Sequence, residues 1–133
     1  MADQGKSCSC SGAPKLIFPC SGGSDVGEIT DRAARKLTKD GAGKMYCLAG
    51  IGGRVSGIMA STESAAAILS IDGCPLDCAK NTLEQAGFKS FEHLRLSDMG
   101  IAKGKSPATE ERIAAVAAKG AEKLAGQRKG CCG

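Results

Sequence analysis

Short apolar runs alternate along the chain with longer stretches of helical spacing. Lys15-Leu-Ile-Phe-Pro-Cys20 is an apolar run closed by Pro and a Gly-rich turn, the pattern of a buried strand. Val26, Ile29, Ala33 and Leu37 then recur at helical spacing, opened by the Asp-x-x-Glu form of a capping box at Asp25 and Glu28 and stopped by Asp40-Gly41. Lys44-Met-Tyr-Cys-Leu48 repeats the strand pattern and runs into Ala-Gly-Ile-Gly-Gly53. Ser61 to Leu69 reads as an Ala-rich helix, and Leu69-Ser-Ile-Asp72 as a third short strand overlapping its end. After Gly73 a helix carries Leu76, Ala79, Leu83 and Ala86 to a C-terminal cap at Gly87. Phe91-Glu-His-Leu-Arg-Leu96 alternates as a half-buried strand does, and Ser106-Pro107 opens a last helix bearing Ile113, Val116, Ala117 and Leu124.

Strand and helix thus alternate four times. That order predicts an α/β fold: a small open sheet of about four mostly parallel strands with helices on both faces and right-handed crossovers. The segments 1–13 and 126–133 have no apolar periodicity and are rich in Gly, Ser, Lys and Cys, so they are expected to be flexible cysteine-bearing tails around one domain at 14–125.

Composition narrows the functional classes. No Trp, one Tyr and 3% aromatic residues leave no platform for base stacking, and a net charge of +4 supplies no strong basic face, so nucleic acid is not an expected partner. The apolar runs are far shorter than the roughly 18 residues that cross a bilayer, so no membrane span is expected. Met1-Ala-Asp3 lacks a basic signal-type start, and the chain is expected to be cytoplasmic. In that reducing compartment eight cysteines read as metal ligands or sulfur-handling groups before they read as a disulfide scaffold.

Their positions carry the chemistry. Cys20, Cys47 and Cys74 are each 27 residues apart, about one strand-plus-helix unit, and each falls where a strand gives way to its loop. In a parallel sheet those strand ends share one edge, where open α/β folds place ligands. Cys78 follows Cys74 by one helical turn. Four thiolates converging on the carboxyl edge form a soft-metal site, with zinc ahead of an iron–sulfur cluster as the occupant. In Asp72-Gly-Cys-Pro-Leu-Asp-Cys78, Cys74 falls at the expected helix N-cap with Pro75 next, a position that lowers a thiol pKa. This supports an alternative reading as a thiol-redox or sulfur-transfer enzyme, with Cys74 as nucleophile and Cys78 or Cys20 resolving it. No general base is apparent, which weighs against an enzyme.

Cys20-Ser-Gly-Gly-Ser-Asp-Val-Gly27 is similar to the anion-binding loops of phosphatases and arsenate reductases, but those close on an arginine where Val26 stands here. Gly-Ile-Gly-Gly53 is too generic for a dinucleotide site. His93, the sole histidine, lies inside a strand and is expected to be satisfied or solvent-facing. Cys8, Cys10, Cys131 and Cys132 lie on the tails, where they could pass on a soft metal ion or form a labile disulfide.

At Asp72-Gly73-Cys74 the sequence resembles the DGC family, small bacterial and archaeal proteins described as zinc-binding. The resemblance runs over most of 18–124 and includes Pro-Cys20-Ser-Gly, Met-Tyr-Cys47-Leu-Ala-Gly-Ile-Gly and Asp72-Gly-Cys-Pro-Leu-Asp-Cys78. It implies that Cys20, Cys47, Cys74 and Cys78 hold the metal, implies nothing for the tail cysteines, and supplies no reaction.

Overall fold

A computed structural model describes residues 13–126; the four tail cysteines lie outside this range. The described elements are β1 (Lys15–Pro19), α1 (Asp25–Lys39), β2 (Lys44–Met45), α2 (Leu48–Gly52), α3 (Ser56–Glu63), β3 (Ala67–Asp72), α4 (Cys78–Gln85), β4 (Glu92–Arg95), a 3-10 turn (Leu96–Met99) and α5 (Glu110–Gly126). The four strands form one open sheet in the order β2-β1-β3-β4, and every pairing is parallel.

Side chains alternate across the sheet. Ile17, Leu69 and Ile71 face α1 and α5, where they pack with Val26, Ile29, Leu37, Ile113, Val116 and Leu124. Leu16, Phe18 and Ile68 face the other layer and pack with Ile51, Leu83 and Phe88. Helices therefore cover both faces, as two-sided burial of β1 and β3 demands. The chain leaves β1 toward β2 on one side and returns to β3 on the other, so the direction of winding reverses between β1 and β3. At such a switch point the two following loops splay apart and open a crevice at the carboxyl edge.

Several boundaries differ from the sequence reading, each for a tertiary reason. The helix expected over Ser61 to Leu69 lies earlier, because Ala67 and Ile68 pair with Lys15 and Leu16 and strand pairing overrides the helix propensity of alanine. Between β2 and β3 the chain thus makes two short helices in place of one. The cap of α1 is Ser24, whose Oγ accepts from the Gly27 N–H at 3.1 Å. Asp25, expected in a capping box, instead accepts from the N–H groups of Gly104 and Ser106 at 2.9 Å each, tying the β4–α5 loop to the start of α1. The last helix begins at Glu110 rather than at Pro107, with Thr109 Oγ1 accepting from Arg112 N–H. Gly87, at φ +99, does end α4.

Candidate functional site

The carboxyl edge is built from three strand ends. The Cys20 N–H continues the ladder beyond β1 by donating to Ile71 O at 2.9 Å, which fixes Cys20 beside the end of β3. Its Sγ lies 3.4 Å from Thr30 Oγ1, and Thr30 also accepts from the Ser21 N–H at 3.1 Å. The loop after β1 is thereby folded back onto α1. Its closeness is absolute at one point: a Cβ on Gly27 would sit 2.2 Å from the Gly22 carbonyl oxygen. With Ser24 taking the Gly27 N–H and Asp25 Oδ1 taking that of Val26, donors that could hold an anion are already engaged.

The β3–α4 loop is held differently. Asp72, 1% exposed at the end of β3, accepts from the N–H groups of Ala79 (2.7 Å) and Lys80 (3.0 Å) and from His93 Nε2 (2.9 Å). A strand-end carboxylate therefore caps the first turn of α4 from outside the helix and anchors the histidine on β4. The helix start is displaced accordingly. Cys74 lies in the turn at 73–76 instead of at an N-cap, the cap residue is Asp77, and Cys78 is the first helical residue. Leu76, expected on the apolar face of the helix, is 67% exposed. The helix-start argument for activating Cys74 consequently does not hold.

Asp77 adopts φ +54, a left-handed conformation that costs a non-glycine residue on the order of 1 kcal/mol. It is locked by Arg95, whose Nε donates to Oδ1 at 2.8 Å and whose Nη2 donates to Oδ2. The paired guanidinium holds the Asp77 carboxyl below the usual carboxylate range. Gly73 completes the Asp-Gly-Cys triplet: a Cβ there would meet Val26 Cγ2 at 2.7 Å, so the close approach of α1 to the crevice requires glycine.

Cys20 follows β1, and Cys74 and Cys78 follow β3, so all three lie past the carboxyl ends of the two strands that flank the switch point. Desolvation pushes the Cys78 thiol above its ordinary pKa, and the negative charges of Asp72, Cys20 and Cys74 push it further, with Lys103 of the β4–α5 loop opposing them. Cys47 is the cap residue of α2, just past the end of the outer strand β2. Among the described residues no three cysteine sulfurs lie within 4.8 Å of one another; the one group of three potential ligands that meets this distance is Asp72, Asp77 and His93. Those three are engaged with backbone N–H groups, with Arg95 and with one another, and His93 is satisfied as expected. The roles of Asp72, Asp77 and Arg95 escaped the sequence reading. A signal existed: His93 and Arg95 alternate onto one face of β4 and pair in register with Ser70 and Asp72.

This geometry falls within a known sequence group. The curated protein "Anaerobic and virulence modulator AnvM" of Pseudomonas aeruginosa (strain PAO1) is 36% identical over 88 residues, which cover 66% of this chain and 67% of that protein. No solved structure matches. The DGC domain is matched over residues 16–119, so the span that holds the switch point, the Asp72-Gly73-Cys74 triplet and all four candidate cysteines places the chain in the DGC domain family.

Proposed function

We propose that the chain is a cytoplasmic zinc- or soft-metal-binding protein, built as one α/β unit over 14–125, that serves in metal or metalloid handling. Its ligands are Cys20, Cys74 and Cys78 at the switch point, with Cys47 from the next strand end as the fourth. The observation that carries this reading is that two adjacent parallel strands, β1 and β3, lead Cys20 and the Cys74–Cys78 pair to the one edge where such folds bind ligands, where the Cys78 thiol feels both Cys20 and Cys74. The donor set fits the ion. Thiolates gathered beside the Asp72 carboxylate repel one another, and a soft divalent cation supplies the charge that offsets this repulsion and favours their deprotonated form. Asp72, His93, Asp77 and Arg95 position the loop that bears Cys74 and Cys78.

Elemental analysis of anaerobically purified protein, with a count of free thiols, tests the proposal. The expected result is about one ion per chain, lost on Cys→Ser substitution at positions 20, 74 or 78 and retained on substitution of the tail cysteines. Ion at 100-fold excess over its dissociation constant stabilises the fold by about 2.7 kcal/mol, so chelation should lower the melting temperature without unfolding the sheet. Metal-free protein under anaerobic purification, or metal retained when Cys20, Cys74 and Cys78 are all replaced by Ser, would overturn the reading.

A further inference from the structure

The outer edge of the sheet holds a second site. β2 pairs with β1 through two residues only, Lys44 and Met45, and the chain then turns into α2. The early end of this strand leaves apolar side chains of both layers incompletely covered. Met45 lies partly buried against the α1–α5 core, and Tyr46 and Ile58 lie partly buried against the opposite one. Together they form the floor of a groove of about 930 Å³, whose rim carries Arg35 and Lys39 on α1 and Lys44 on β2.

The rim is unusual for a chain with a net charge of only +4. Lys39 and Lys44 are exposed and make no ion pair among the described residues, and Arg35 is engaged through Nε alone, by Asp31 at 2.7 Å. Lys39 and Lys44 thus present uncompensated positive charge above an apolar surface, with the Arg35–Asp31 pair beside them. The volume lies within the range of small-molecule pockets, roughly 300–1,000 Å³.

From this juxtaposition we infer that the groove binds a small molecule joining an anionic head to an apolar body. The head, a carboxylate or sulfonate, meets Lys39, Lys44 and the free end of Arg35, and the body lies on Met45, Tyr46 and Ile58. Two lysines without an ion pair among the described residues, beside an apolar surface of three side chains, match one amphiphilic anion in size and charge. Cys47, proposed above as the fourth metal ligand, also lines this groove, but the contacts invoked here are those of the cations and the apolar side chains and do not rest on the thiol.

The test uses the full chain and the fluorescent probe 1-anilinonaphthalene-8-sulfonate, with uncharged N-phenyl-1-naphthylamine as its neutral counterpart. The sulfonate should bind saturably at one site. Lys39→Gln/Lys44→Gln should weaken it about tenfold, since two of three partner charges are removed, and leave the neutral probe unchanged. Lys89→Gln/Lys119→Gln, with the same loss of charge elsewhere, should bind the sulfonate like the parent. Because the four lysines are exposed, the melting temperature should report intact folding in both variants. Equal weakening in the two double variants, an absence of saturable binding, or sedimentation with phosphatidylglycerol vesicles in place of one-site binding would each overturn the inference.

Discussion

The two loops that flank the switch point solve one problem by different means. Each must carry a cysteine past the end of a buried strand and then start a helix. After β1 the cap is local: Ser24 stands at the cap position and accepts from Gly27. After β3 the cap is remote, because Asp72 accepts from Ala79 and Lys80 across a turn of five residues that no side chain of its own caps. Both loops also need their glycine. Gly27 faces a backbone carbonyl, and Gly73 faces the Cγ2, Cβ and backbone carbon of the buried Val26, of which only the Cγ2 methyl can turn away. The first end therefore rests on a local cap and a glycine, the second on a remote carboxylate and a glycine. The difference shows why a motif opening on Asp-Gly identifies the second loop: both residues build the turn that presents Cys74 and Cys78.

Removing the remote cap should have the largest effect. In Asp72→Ala two buried or part-buried N–H groups at the start of α4 lose their acceptor and His93 loses its anchor. Charge-assisted hydrogen bonds contribute about 1.5–3 kcal/mol each, and partial rescue by water reduces the sum, so a loss of roughly 3–4 kcal/mol is expected in urea unfolding. Ser24→Ala should cost about 1 kcal/mol. Equal losses would abolish the contrast between the two ends.

The glycines sharpen the comparison with a smaller expected difference. Gly27→Ala forces the 21–24 loop off the helix and should cost upward of 2 kcal/mol, near the upper end of overpacking effects. Gly73→Ala should cost about 1–2 kcal/mol, and the double variant Gly73→Ala/Val26→Ala should recover only the share due to Cγ2, because the Cβ of residue 26 stays 2.8 Å from the new methyl. A failure of Val26→Ala to couple with Gly73→Ala would show that the valine contact is not what demands glycine.

The same contrast explains what the sequence disclosed. The sheet was legible because β1 and β3 are buried on both faces and read as unbroken apolar runs, and because Val26, Ile29, Ala33 and Leu37 keep helical spacing against one face. The α1 cap was misread by one residue, since Ser24 and Asp25 are both competent caps and only the partner loop at 104–106 decides which serves. The start of α4 was misread by three, because Pro75 is a strong local signal for a first helical residue. Against it stands a carboxylate from the preceding strand and an ion pair from β4, contacts distant in sequence. The edge that carries the cysteines was visible from their 27-residue phase. The shortness of β2 before Cys47 was not: the strand pairs through two residues only, and strand length depends on what the neighbouring chain can pair.

Acid should probe the two ends together with the smallest effect. Asp25 is held below its ordinary pKa, first by the N–H of Gly104 and then by that of Ser106, and Asp77 first by Arg95. A carboxyl depressed in the folded state contributes stability that is fully present above its unfolded pKa, about 3.9, and is lost as pH falls through the folded value. Both clasps should therefore hold at pH 5 and loosen only below about pH 4, the β4–α5 loop coming away from α1 at one end and Arg95 releasing the turn before α4 at the other. Stability measured in urea from pH 5 to pH 2 should fall in the parent. In Asp25→Asn/Asp77→Asn it should start lower and fall less steeply, since an amide keeps part of each contact but takes up no proton. Of the single variants, Asp77→Asn should flatten the curve more, because its partner is a charged fork rather than two backbone groups. Parallel curves for parent and double variant would mean that acid acts on other carboxylates, and a larger flattening from Asp25→Asn would reverse the assignment of the stronger clasp to the end that has no local cap.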